Sequence, residues 1–264
     1  SCDRNVNLQA IYSGDFDVAR IIQGLSALTG VDIIPGKTLI FLDEVQAFPQ
    51  ALEALKYFCE DAPDYHIVVA GSLLGVALHA GVSFPVGKVQ TLRLFPMDFE
   101  EFLMAMGEEQ LLKLMHSHDY ELMNAFHEKL KDLLRQYYYV GGMPEVVKAF
   151  AENKLLNQVR SLQNEILSNY ASDFSKHAPS QEVPRIDMVW QSILGQLSKE
   201  NKKFVYGVLK KGGRAKEFEL AIQWLVDAGL VYKITKVSKP ELPLKFYEDL
   251  SAFKLYLCDC GLMG

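Results

Sequence analysis

Residues 38–44 read Thr-Leu-Ile-Phe-Leu-Asp-Glu, four apolar residues running straight into two adjacent carboxylates. An unbroken apolar run of this length suits a strand buried on both faces, as in the middle of a parallel sheet. Open α/β sheets bind their ligands at the carboxyl ends of such strands, which is where Asp43 and Glu44 stand. A second short apolar run, residues 66–70, ends at Gly71-Ser72, and a helical stretch opened by Pro49 separates the two. Strand, helix and strand at this spacing predict a βαβ crossover.

At 264 residues the chain has room for one large or two ordinary domains. Its composition, 49% hydrophobic and 23% charged, is that of a globular protein with a real core. A net charge of −6 argues against a protein that coats nucleic acid, but leaves room for a local basic patch. No apolar run approaches the roughly 18–20 residues of a membrane span, so no membrane association is expected. Four cysteines in a chain this long make no disulfide framework, and Cys258-Asp-Cys260 lacks a zinc-site spacing. A reducing, cytoplasmic setting fits them best. The first and last residues do not resemble natural domain termini, and the sequence is expected to be part of a longer protein.

Further along, residues 15–28 read as a helix with Asp15 at its N-cap and Gly30 at its end. Residues 86–95 alternate and read as a third strand. Asp98 caps a helix over residues 99–106, and helices continue to about residue 170, interrupted by the rigid, aromatic turn Tyr137-Tyr-Tyr-Val-Gly-Gly-Met-Pro144. A polar, proline-containing stretch over residues 175–184 predicts a linker. Three helices follow (residues 186–197, 204–209 and 215–228), then strand candidates at residues 230–235 and 253–257, the order of a winged helix-turn-helix.

A strand-end Asp-Glu pair has the chemistry of a Walker B site. One carboxylate holds Mg²⁺, and the other polarises a water beside the γ-phosphate of a nucleotide. Two solvated acids where a strand leaves the core is the alternative. Ser72, a hydroxyl at the next strand end, is placed to sense that phosphate, and Arg93 could reach it. The segment Gly30-Val-Asp-Ile-Ile-Pro-Gly-Lys-Thr38 imitates a phosphate loop, but with one residue too many and ahead of a strand rather than between a strand and a helix. The one basic concentration, Lys210, Lys211, Arg214 and Lys216 with Lys236 further on, suits phosphate contacts by the winged helix. The third helix carries two acids, Glu217 and Glu219, so docking on a protein partner stays open beside DNA binding.

Taken in order, Thr-Leu-Ile-Phe-Leu-Asp-Glu-Val-Gln46, Ala-Gly-Ser-Leu-Leu-Gly75, Leu-Arg-Leu-Phe-Pro-Met-Asp-Phe-Glu-Glu-Phe102 and Tyr-Val-Gly-Gly-Met-Pro144 resemble the AAA-like P-loop ATPases of AAA_14 type that carry a C-terminal DUF4143 module. Residues 201–264 are similar to the start of that module. The resemblance implies ATP and Mg²⁺, with Asp43 as metal ligand, Glu44 as water-polarising base and Ser72 as sensor. It also implies a first strand and phosphate loop that this sequence lacks. The expected architecture is therefore α/β plus α. A partial AAA-like core without its first strand (residues 1–105) precedes a helical segment (106–174), the linker (175–184) and a winged-helix start (185–264). A core without its first strand leaves residues 67–70 short of a neighbour, or draws residues 89–94 in to close the gap. The alternative is a non-enzymatic module that binds DNA or a partner protein.

Overall fold

The structure, a computed structural model, describes residue 2, residues 7–71, residue 85 and residues 87–264. Two compact units emerge, Ser1–Arg93 with Asp227–Gly229, and Leu94–Val226 with Leu230–Gly264.

In the first unit, α1 (Asn7–Tyr12) and α2 (Val18–Thr29) are followed by β1 (Leu39–Leu42), α3 (Pro49–Asp61) and β2 (His66–Val69). Asp17, two residues later than the sequence suggests, caps α2 by accepting the Ala19 N–H at 3.0 Å. Gly30 closes the helix at φ 70°, a left-handed conformation that glycine adopts without strain. Arg20 of α2 donates to the carbonyls of Ala10, Ile11 and Ser13 and so satisfies the open C-terminal end of α1. Pro49 occupies the first turn of α3, where its missing N–H costs nothing.

β1 and β2 pair in parallel, Leu39 opposite His66 through Leu42 opposite Val69, with α3 as the crossover. Ile40 and Leu42 share one core with Ile21 and Leu25 of α2 and Leu52, Leu55 and Phe58 of α3. The expectation of burial on both faces fails. Leu39 and Phe41, on the opposite face of β1, are 58% and 57% exposed. A continuous apolar run cannot by itself distinguish one covered face from two. The expected third strand is also absent. Residues 90–98 form no strand, and Leu92 and Leu94 project into solvent. Among the described residues the sheet has β1 and β2 alone, so residues 89–94 do not close the gap.

The second unit begins earlier than residue 106. Asp98 and Glu101 form a reciprocal capping box that starts α4 (Phe99–Ala105), and Phe102 and Leu103 are fully buried in this unit's cores. Then follow α5 (Glu109–Ser117), α6 (Tyr120–Ala125), α7 (His127–Val140), α8 (Pro144–Asn153) and the long α9 (Leu156–His177). The polar stretch at 175–184 is a shorter break than its composition suggests. α9 runs to His177, and α10 (Val183–Leu197) takes Pro184 into its first turn. Phe174 of α9 sits edge-on between Trp190 of α10 and Trp224 of α12 (Ala215–Asp227), so the last part of the chain is packed on the helical part. After α11 (Tyr206–Leu209) and α12 comes an antiparallel hairpin, β3 (Val231–Val237) with β4 (Glu248–Leu257), irregular between Thr235 and Lys236. Phe204 ties its N–H to the Phe253 carbonyl at 2.8 Å and stacks on that ring.

Candidate functional site

The carboxyl end of the parallel pair is closely tied. Ala70 N–H donates to the Leu42 carbonyl at 2.9 Å, Val45 N–H to the Ala70 carbonyl at 3.0 Å, and Cys2 N–H to the Asp43 carbonyl at 2.8 Å. Asp43 and Glu44 thus leave β1 where β2 also ends, both side chains half-buried. Glu44 takes φ 56° and ψ 42°, a left-handed conformation that costs a non-glycine residue about 1–3 kcal/mol and gathers at functional sites. That turn sends the chain into the short 3-10 segment Val45–Ala47 and places Gln46 back beside Glu44. Gln46 Nε2 donates to Glu44 Oε2 at 2.5 Å.

Asp43 and Glu44 are brought together at one strand end. Ser72 lies outside the described residues. Arg93 is exposed on the irregular segment after residue 90, and among the described residues no hydrogen bond or ion pair joins it to either carboxylate. The Gly-Lys-Thr at 36–38 is a turn entering β1, and its amides are already engaged. Gly36 N–H donates to the Asp64 carbonyl, and the N–H groups of Lys37 and Thr38 to the Ile34 carbonyl. A phosphate at that segment would find no free backbone donor there, as its place before a strand implies.

Among the described residues no group of three or more His, Cys, Asp or Glu side chains could hold a metal. Two adjacent carboxylates still fit Mg²⁺, which keeps most of its waters and takes one or two carboxylates together with substrate phosphates.

Of the basic residues, Lys210, Lys211, Arg214 and Lys216 are exposed at the turn between α11 and α12, with Lys210 4.0 Å from Glu217. Lys236 is opposite Asp249 across the hairpin. Hydrogen bonds from Ser251 hold the Asp249 carboxyl below its usual range, and the charge of Lys236 adds to this. Lys236 therefore has an acidic neighbour to satisfy before any phosphate.

Residues 137–140 are the end of α7 and Pro144 opens α8, so the expected turn over 137–144 shrinks to residues 141–143, and this junction gathers the second unit's distant motifs. Met97 N–H donates to the Gly142 carbonyl at 2.7 Å, and Tyr137 Oη donates to the Met97 carbonyl at 2.9 Å. Gly142 N–H donates to Asp259 Oδ2 at 2.5 Å, and Leu262 N–H to Asp259 Oδ1 at 3.2 Å. Buried Gln163 bonds the Tyr139 and Val140 carbonyls. Burial pushes the Asp259 carboxyl above its usual range, against the opposing pull of the N–H groups it accepts from. Burial likewise pushes the Cys258 and Cys260 thiols up to about 11, which keeps them protonated at neutral pH. The role of Asp259 escaped the sequence reading. Its signal was an acid directly after an apolar strand and just before Gly261, where a side chain would collide with the Val140 carbonyl and the Gly141 amide.

Residues 5–103 match the AAA domain family AAA_14. Residues 131–264, just over half of the chain, match the Domain of unknown function DUF8612 rather than the DUF4143 module of the resemblance. No curated protein and no solved structure matches. Among the described residues no helix is long and apolar enough to cross a membrane. A crossover unit with paired acids at its strand end, followed by a helical unit locked through Gly142 and Asp259, is what these matches cover, and the chain belongs to the DUF8612 family, joined here to an AAA-like segment.

Proposed function

We propose that the first unit carries the metal and water end of an ATP-binding and ATP-hydrolysing site. The observation that supports this most is the Asp43-Glu44 pair at the carboxyl end of β1, beside the end of β2, inside the segment that matches the AAA domain. In this reading Asp43 holds Mg²⁺ through its waters, and Glu44 orients the attacking water and takes up its proton. Bound Mg²⁺ supplies charge neutralisation on the phosphates. Ser72, next in sequence after Gly71, is assigned to sensing the terminal phosphate, and Arg93 to a phosphate contact. The phosphate cradle is assigned outside the Gly-Lys-Thr at 36–38, whose amides are engaged. The test is Mg²⁺-dependent ATP hydrolysis by the full-length protein; absence of turnover with Mg²⁺ and ATP both saturating would remove the reading.

A second reading concerns the end of the chain. The order α10, α11, α12, β3, β4 and the exposed basic turn favour a winged helix that contacts DNA phosphates. Duplex binding is then expected to weaken by at least about tenfold between 50 and 200 mM salt, and replacing Lys210, Lys211, Arg214 and Lys216 by alanine should flatten that dependence. Fluorescence anisotropy measures both. Leu242 and Phe246 in the hairpin loop, 89% and 84% exposed, are the feature a protein partner would use instead, and salt-independent or absent duplex binding would favour that partner.

A further inference from the structure

We infer that Gln46 is the positioning residue for Glu44, clamping its carboxylate from two residues along the chain. This rests on the hydrolytic reading above and adds a residue to it. An ionised carboxylate only accepts hydrogen bonds, so the Gln46 NH₂ must face Glu44 Oε2, and the amide carbonyl must face the other way. On that side stands Gly71, at the end of β2. A Cβ there would overlap Gln46 Oε1 and come within 3.2 Å of its Cδ. The Gln46 amide is thus wedged between the ends of β1 and β2, with Glu44 on one side and a glycine backbone on the other.

Two further observations mark the contact as more than a surface hydrogen bond. The Glu44 carboxylate caps no backbone N–H of the 3-10 segment it begins, so the Gln46 amide is what fixes its direction. Among the described residues, buried Gln46 Oε1 has no hydrogen-bond partner, so Nε2 makes the amide's hydrogen bond there. The amide is held on its Glu44 side by the Nε2 bond and on its carbonyl side by the close approach of Gly71, and in this way Gln46 fixes Glu44.

Two measurements decide this. In the present chain, with ¹⁵N-labelled glutamine, Glu44→Ala is expected to shift the Gln46 side-chain amide signals and speed their hydrogen exchange by at least about tenfold. Unchanged signals would overturn the clamp, whatever the protein hydrolyses. In the full-length protein, Gln46→Ala should lower kcat for ATP by about 10- to 100-fold with KM changed less than about threefold. A Gln46→Ala enzyme with wild-type kcat would overturn the positioning role. Wild-type hydrolysis by Glu44→Gln would instead remove the catalytic reading of Glu44, and with it any catalytic consequence of the clamp.

Discussion

Replacing Glu44 with glutamine is expected to lower ATP hydrolysis by the full-length protein by about 10²–10⁴-fold, the range for removing a positioned general base. The substitution keeps the size and hydrogen-bonding capacity of the side chain and removes its charge and basicity. ATP affinity should stay within about threefold, because in the proposed site the metal is assigned to Asp43 and the phosphate contacts to other residues. The left-handed turn at Glu44 should survive, since its strain is of the backbone and glutamine bears it as glutamate does. Stability measured beside activity separates the two effects. A loss of turnover at unchanged melting temperature assigns Glu44 to chemistry, whereas equal losses of both would make it structural. Turnover kept at the wild-type rate would return Asp43 and Glu44 to the alternative of two solvated acids at a strand exit.

The second large effect belongs to Gly142. Its φ lies outside the left-handed region, so alanine faces no backbone penalty there; the obstacle is space. A Cβ would sit 2.7 Å from Met97 N and 2.8 Å from Met97 C, backbone atoms that cannot rotate away. The same two residues are pinned by the Met97 N–H bond to the Gly142 carbonyl, and the Gly142 N–H is held by Asp259. Relief of the clash therefore means breaking one or both of these buried bonds. Gly142→Ala is expected to destabilise by about 3–5 kcal/mol, combining overpacking with unsatisfied buried donors. Gly195, in α10, has nothing within 4 Å of the corresponding Cβ position. Gly195→Ala should be neutral or stabilising by up to about 1 kcal/mol through helix propensity. Urea unfolding of the two variants makes the contrast. A Gly142→Ala protein within about 1 kcal/mol of wild type would contradict the close approach of Met97 and Asp259.

Much of the local structure is legible because local chemistry decides it. Gly30, Pro49 and the Asp98–Glu101 box terminate or start helices by backbone rules that act within four residues. The crossover from β1 to β2 follows from two short apolar runs around an amphipathic stretch. What failed depends on partners far away in the chain. The alternation over residues 86–95 matches a strand, but a strand needs a neighbour's backbone, and the described residues give it none. Phe41 reads as core in sequence and is exposed because burial of the second face is decided by what packs on it. Asp17 rather than Asp15 caps α2; with two acids two residues apart, the hydrogen-bond geometry chooses.

The site was legible in the same divided way. Asp43 and Glu44 stood out because an apolar strand rarely ends in two charges. Gln46 stood in the sequence only as the last residue of the first family-like stretch, and its contact with Glu44 emerged through the turn that folds it back. Asp259 and Gly142 are 117 residues apart, and no local rule pairs an acid with a distant glycine amide. Gly141 and Gly142 were legible as a break between helices; that the three tyrosines belong to α7 and that Met97, Gln163 and Asp259 converge there was not.

In the proposed site the paired carboxylates at the end of β1 hold a divalent metal beside a nucleotide. The most direct measurement places Mn²⁺ and ATP on the ¹⁵N-labelled full-length protein and records which amide signals broaden. Broadening centred on residues 42–46 and Gly71, and lost in Asp43→Ala, is the predicted result; broadening centred elsewhere while these signals stay sharp would contradict it.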